Sequence, residues 1–210
     1  MKCLKFPQEE VWNNLYVPHM FVETYIDDVY KLVRESKFNI IVDAGANIGV
    51  ISLFFAQYCK MVYAFEPLPS LYNCLKENIE ANEITNIIPT KMAISDFNGQ
   101  AAFEYNPGNV TMGRLKDTGD RIVETTTIES FMKVYKIDEI DYFKMDIESG
   151  EARVILDPNF KNVARKIKNL FVALHGEKEE EIKQRVQAYG FTMQHLPTLL
   201  GERIYLFRRK

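Results

Sequence analysis

The chain has 210 residues, 47% hydrophobic and 26% charged, with a net charge of −3. That length is enough for one domain with a substantial core, and the charge disfavours a nucleic-acid-binding face. Cys3, Cys59 and Cys74 are scattered and form no C-x-x-C pair, which argues against a disulfide framework and a thiolate zinc site. Met1 to Glu10 lacks the apolar centre of a signal peptide. The most apolar stretch, 38–56, is broken by Asp43 and Asn47, so no membrane span is expected and the cytoplasm is the default location.

The predicted elements alternate along the chain. Phe21, Tyr25, Val29 and Leu32 recur at helical spacing and predict an N-terminal helix within 1–36. A strand is expected from Asn39 to Ala44 and a helix from Gly49 to Tyr58. A second strand, Met61 to Phe65, ends at Glu66. Pro67 and Pro69 then open a helix through Ala81, proline being tolerated in a first helical turn. A third strand is expected from Asn86 to Thr90. Residues 98–127 read as an inserted hairpin. Its strands, Ala101 to Tyr105 and Arg121 to Thr127, are joined by a loop rich in Gly, Asn, Asp and Thr. There follow a helix over 128–135, a strand over 140–145, a short helix over 151–156 and a strand over 169–174. A charged helix over 177–189 is stopped by Gly190, and strands near 191–195 and 203–207 close as an antiparallel pair. The pattern predicts an α/β fold: an open, doubly wound, mostly parallel sheet with an antiparallel edge, between helical layers. One domain is expected over 1–210, with a helical cap over 1–36 and a Rossmann-like core over 37–210.

Sheets of this kind bind ligands beyond the carboxyl ends of their strands. The first strand delivers Asp43 there, followed by a turn bearing Gly45 and Gly49, which let the backbone approach a ligand closely. Asn47 stands where a dinucleotide-binding loop has its middle glycine. An acid facing the ligand repels phosphate and suits a positive centre. S-Adenosylmethionine, a sulfonium that also carries an ammonium group, fits. Glu66 lies 23 positions after Asp43 and is placed to accept hydrogen bonds from ribose hydroxyls. Ala93 is small enough for an adenine to rest against.

The segment Lys144 to Glu151 carries Asp146, Glu148 and Glu151 around Gly150. Crowded carboxylates raise one another's pKa or demand a cation. One could take the proton of a hydroxyl nucleophile. Alternatively, Asp146 and Glu148 could hold the cofactor's ammonium, or a divalent metal through oxygen ligands. Glu151 also reads as an acid favoured at a helix N-terminus. His175 ends the next strand on the same rim and could act as base or ligand. His19 and His195 read as structural. No Ser-His-Asp or Cys-His arrangement emerges, which disfavours nucleophilic hydrolysis.

Taken in order, Val42 to Gly49, Ala64 to Pro67, Thr126 to Glu129, Lys144 to Glu151 and Leu174-His175 resemble the FkbM family of S-adenosylmethionine-dependent methyltransferases. The resemblance implies a class I methyltransferase fold, sheet order 3-2-1-4-5-7-6 with strand 7 antiparallel, and methyl transfer usually to a hydroxyl oxygen. It implies a cofactor loop of Asp43, Gly45, Asn47 and Gly49, with Glu66 holding the ribose; Ala46 and Pro67, beside them, are also expected at the cofactor. It also implies that Lys144 to Glu151 lie beside the methionine end and the acceptor. The family pattern K-x-D-x-E-G-x-E is met except that Ser149 takes the glycine place and Gly150 follows it. Where the family often has an acid two places before the histidine, this chain has Ala173.

The expected activity is therefore O-methylation of a small molecule or sugar, with Asp146, Glu148 or His175 as base. A lid is expected from 1–36 and from the loop 106–120, and Trp12, Tyr16 and Phe21 could wall an acceptor pocket. The partner expected is a small-molecule acceptor, with no nucleic acid or membrane involved. Two alternatives stay open: cofactor binding without turnover, and an NAD-dependent oxidoreductase.

Overall fold

The computed structural model describes residues 27–106, 109–116, 118–119, 121–199 and 201–210, with backbone alone at 105, 106 and 109–112. The main sheet comprises β1 (Phe38–Ala44), β2 (Cys59–Phe65), β3 (Ile87–Thr90), β8 (Ile140–Met145), β9 (Ile167–Ala173), β10 (Phe191–Leu196) and β11 (Ile204–Arg209). Their order is β10-β11-β9-β8-β1-β2-β3. Counting these strands along the chain gives 3-2-1-4-5-7-6, the order the resemblance implies. β1 pairs in parallel with β2 and β8, while β11 runs antiparallel to both β9 and β10. β8 is buried at all six positions, as a central strand covered on both faces requires.

The helices are α1 (Lys31–Arg34), α2 (Val50–Phe55), α3 (Pro69–Ala81), α4 (Ile128–Tyr135), α5 (Glu151–Leu156), α6 (Phe160–Ala164) and α7 (Glu179–Ala188). They cover the sheet from two sides. Phe54, Phe55, Leu71 and Leu75 belong to one apolar cluster; Phe131, Val154, Val163, Ile182 and Val186 belong to the other. Each such side chain withdrawn from water contributes about 1.5–3 kcal/mol. α4 starts where the Thr126 to Glu129 motif sits, because Thr127 Oγ1 accepts from Ser130 N at 3.1 Å and caps the helix. Among the described residues, α1 alone represents the helix expected over Phe21 to Leu32; Phe21 and Tyr25 lie outside the described residues, as do Trp12, Tyr16 and His19. α6 was not expected; Phe160, Val163 and Ala164 join the same apolar cluster and extend the helical layer.

The inserted region needs correction. It is not a two-stranded hairpin with a long loop. A second sheet, in the order β4-β7-β5-β6, is built from β4 (Ala93–Ile94), β5 (Gly99–Asn106), β6 (Asn109–Lys116) and β7 (Arg121–Thr126). Most of the expected loop 106–120 is the edge strand β6, paired antiparallel with β5. Among the described residues, no helix is long and apolar enough to cross a membrane.

Candidate active site

A cleft opens beyond the carboxyl ends of β1, β2 and β8. The turn after β1 supplies Gly45 and Asn47; the turn after β2 supplies Glu66, Pro67 and Leu68; the turn after β8 supplies Asp146, Ile147, Glu148 and Gly150. Phe65 of β2, Leu71 of α3, Ala93 and Ile94 of β4, Phe103 of β5, and Gly113 and Leu115 of β6 complete the lining. The second sheet is thus a wall of the site. Leu115 and Phe103 are cleft residues that the sequence reading missed; the only signal for Leu115 was its register opposite Phe103, a pairing that local pattern does not reveal.

Gly45 makes this geometry possible. Its φ is +81°, and a Cβ there would fall 1.9 Å from the backbone oxygen of Asp146. Only glycine allows the tips of β1 and β8 to approach this closely. Gly49, at φ +94°, starts α2. Ala46 is buried and donates its N–H to Phe65 O at 2.9 Å, so Gly49 and Ala46 shape the loop without lining the cleft.

The position of Asp43 corrects the expectation that it faces the ligand. Asp43 is fully buried; it accepts from Ser52 Oγ at 2.6 Å and pairs with Lys144 Nζ at 3.0 Å. Lys144 also donates to Gly45 O at 3.1 Å. The strand-end acid therefore fixes the glycine turn from behind. Its partner lies 101 residues away, so the pairing is invisible to local motif reading.

Glu66 does line the cleft. Its Oε2 accepts from Asn47 N and its Oε1 from Leu68 N, both at 2.9 Å. A carboxylate oxygen has two lone pairs, so each retains one for a ligand hydroxyl. Burial pushes the Glu66 carboxyl up to about 7, against the pull of the two N–H donors and Lys144.

Asp146, Glu148 and His175 come together at the far end. Their ligating atoms all lie within 4.8 Å of one another, a spacing that could also hold a divalent metal. His175 Nδ1 is 3.3 Å from Glu151 Oε1, and its Nε2 is 3.9 Å from Glu148 Oε2. Glu148 and Ser149 occupy the left-handed region at φ +52° and +74°, which re-aims the chain after β8. Burial, Asp146 and Glu151 push Glu148 up to about 7, although His175 and Arg114 pull it down. Burial depresses His175, but the bond to Glu151 and the charges of Asp146, Glu151 and Glu148 prevail and lift it to about 9. His175 is thus an imidazolium near neutral pH and stands behind Glu148, outside the cleft lining. His195 lies on β10 against the Tyr205 ring, away from these residues.

Among the described residues, the lining contains three carboxylates and no lysine or arginine. Such a wall attracts a cation and repels phosphate.

Residues 43–207 match the Methyltransferase FkbM domain. The chain belongs to the FkbM methyltransferase family. A relative, methyltransferase sdnD of Sordaria araneosa, is 26% identical over 172 residues, covering 65% of this chain and 66% of that protein. The methyltransferase FkbM of Methylobacillus flagellatus KT has a similar fold, with a TM-score of 0.58 at 16% identity. That likeness covers 84% of this chain but 45% of the Methylobacillus chain. Magnesium protoporphyrin IX methyltransferase of Synechocystis, solved with bound SAM, superposes with a TM-score of 0.56 at 13% identity, covering 96% of this chain and 86% of that one. This FkbM-family chain therefore has the class I methyltransferase fold, with residues of the Val42 to Gly49, Ala64 to Pro67 and Lys144 to Glu151 motifs lining one cleft.

Proposed function

We propose that this FkbM-family methyltransferase moves a methyl group from S-adenosylmethionine to a hydroxyl oxygen of a small molecule, with Glu148 as base. The observation that carries this reading is the cleft itself, whose described lining holds three carboxylates and no lysine or arginine, with Glu66 presenting two open acceptor positions. Glu66 and Asn47 would hold the ribose end, Ala93 and Ile94 the adenine, and Asp146 the cationic end. The Synechocystis methyltransferase, named as binding SAM, supports the choice at the level of fold. NAD suits the site poorly, because its pyrophosphate would face carboxylates.

When bound, S-adenosylmethionine would supply an electrophilic methyl group to the acceptor oxygen, its sulfur keeping the electron pair of the broken bond. The chain's own residues hold the acceptor and take its proton. Glu148 lines the cleft with a pKa of about 7, so its carboxylate can accept the hydroxyl proton while the new carbon–oxygen bond forms. Phe103 and Leu115 offer the acceptor an apolar wall.

Calorimetry tests the cofactor: S-adenosylhomocysteine should bind and NAD should not. A panel of hydroxylated small molecules tests the reaction, read as S-adenosylhomocysteine formed. Glu148→Gln should cost about 10²–10⁴ in rate with little change in S-adenosylhomocysteine affinity. No heat with S-adenosylhomocysteine on folded protein would overturn the proposal. Binding without product across the panel would favour a cofactor-binding protein without turnover.

A further inference from the structure

Glu151 is the first residue of α5, but it is not a solvated helix-terminal acid: its side chain is fully buried. Its Oε1 accepts from Ile147 N at 2.9 Å and lies 3.3 Å from His175 Nδ1. Its Oε2 is buried and has no hydrogen-bond partner among the described residues. A carboxylate withdrawn from water needs an opposite charge close by. His175 is the side chain that supplies it, and the other imidazole nitrogen then faces Glu148 at 3.9 Å. A line of three side chains thus runs from the interior to the cleft wall.

We infer that Glu151 is a positioning residue that holds His175 by Nδ1, directs the Nε2 proton toward Glu148, and so keeps the Glu148 carboxylate aimed at the acceptor. This deepens the reading of Glu148 as base and rests on it. Two features make Glu151 more than a packing group. It ties down the turn that carries Glu148, through the N–H of Ile147. That turn is one that L residues adopt reluctantly, so it needs a tie. The groups facing His175 are Asp146, Glu148 and Glu151; Glu148 also feels Arg114 from β6. Asp146 and Glu148 flank the cleft, whereas Glu151 is the member buried behind the imidazole.

The test is Glu151→Gln, which keeps the shape and the acceptor oxygen but removes the charge. His175 is followed by NMR titration of ligand-free protein, its resonance assigned with a His175→Asn variant. The titration should move down by about one pH unit or more. The alkaline limb of the pH–rate profile should move with it. The turnover number should fall about 10–100-fold, the usual cost of losing a group that orients another, while KM and S-adenosylhomocysteine affinity hold within about threefold. Glu151→Asp keeps the charge and should retain the raised titration. An unchanged His175 titration in Glu151→Gln would overturn the inference. So would a wild-type His175 titrating at or below about 6.5, an outcome readable even if both variants fail to fold. Mg2+ displacing the His175 proton would overturn it too, by making the cluster a cation site. The titration needs no acceptor, so it can fail independently of the methyl-transfer reading.

Discussion

Asp43 and Lys144 stand directly opposite each other in the register of β1 and β8, with Lys144 Nζ 3.0 Å from Asp43 Oδ1. Both side chains are almost wholly removed from water. Removing one member of such a pair leaves a buried charge uncompensated and costs about 3–5 kcal/mol. Lys144→Met should therefore lower the urea midpoint by a corresponding amount. It should also weaken S-adenosylhomocysteine binding, because Lys144 anchors Gly45 O as well. A double-mutant cycle with Asp43→Asn should show strong coupling. If Asp43→Asn instead abolished binding at unchanged stability, Asp43 would be a direct ligand after all.

Glu66 offers a cleaner probe of the cofactor site, because its backbone donors hold it in place from both sides. Glu66→Gln presents an NH2 group where one carboxylate oxygen stood, so one N–H donor or one ligand hydroxyl loses its acceptor. A charged hydrogen bond contributes about 1.5–3 kcal/mol. S-Adenosylhomocysteine affinity should fall about 10–100-fold by calorimetry, with a smaller effect on the free protein's stability. Unchanged affinity would move the ribose elsewhere.

The sequence showed the strand tips well and their cross-connections poorly. α4, β8 and α5 fall on the stretches where the sequence pattern predicts a helix, a strand and a short helix, and Glu66, Asn47, Asp146 and Glu148 reach the cleft. β6 was unreadable, because its stretch is rich in turn-forming residues and becomes a strand only by pairing with β5. Leu115 lies opposite Phe103, and Arg114 and Lys116 reach Glu104. The roles of Asp43 and Glu151 were hidden for a related reason. Each is an acid at an element end, a position that normally means exposure or ligand contact. Each is instead set by a distant cation, Lys144 for one and His175 for the other.

The same buried groups give the pH dependence its sign. Glu148 must be ionised to act as base, so kcat/KM should rise with pH through about 7, where its carboxyl is held. His175 must be protonated to face Glu148, so kcat/KM should fall as it deprotonates near 9. A bell with those limbs is expected in a pH–rate profile. A single acid limb that persists in Glu148→Gln would assign the base elsewhere.

Stability should follow a monotonic course on the ligand-free protein. Glu66 and Glu148 are raised from 4.5 to about 7, so between those values the folded form keeps protons that the unfolded chain releases, and stability falls as pH rises. His175 is raised from 6.5 to about 9, so its contribution is fully present below 6.5 and is lost on the way to 9. All three signs agree. For each group, every pH unit separating its folded and unfolded titrations contributes at most about 1.4 kcal/mol, with His175 discounted because a third of it meets solvent. The lowered carboxyls, Glu104, Asp141 and Glu179, act below their ordinary values and leave this window alone. Urea midpoints at pH 5, 7 and 9 should decline in that order; a midpoint that rises would show that the cleft carboxyls are not raised.

Backbone geometry supplies the last expectation, through two positions that respond in opposite directions. Ser149 sits at φ +74°, where an L side chain costs about 1–2 kcal/mol. Ser149→Gly removes that strain and adds back about 0.5–1 kcal/mol of unfolded-chain entropy. The substitution should therefore be neutral or stabilise by up to about 1.5 kcal/mol. Gly45→Ala is the reverse case. Its Cβ would meet the backbone oxygen of Asp146 at 1.9 Å, at φ +81°, and a backbone atom on a central strand tip cannot swing aside. Strain and overpacking together should cost about 2–4 kcal/mol. Because relief of the clash must push the β1 and β8 tips apart, S-adenosylhomocysteine affinity should fall with it. Thermal denaturation and calorimetry on the two variants measure both effects, and a Gly45→Ala protein with wild-type melting and binding would show that the two tips are not in contact.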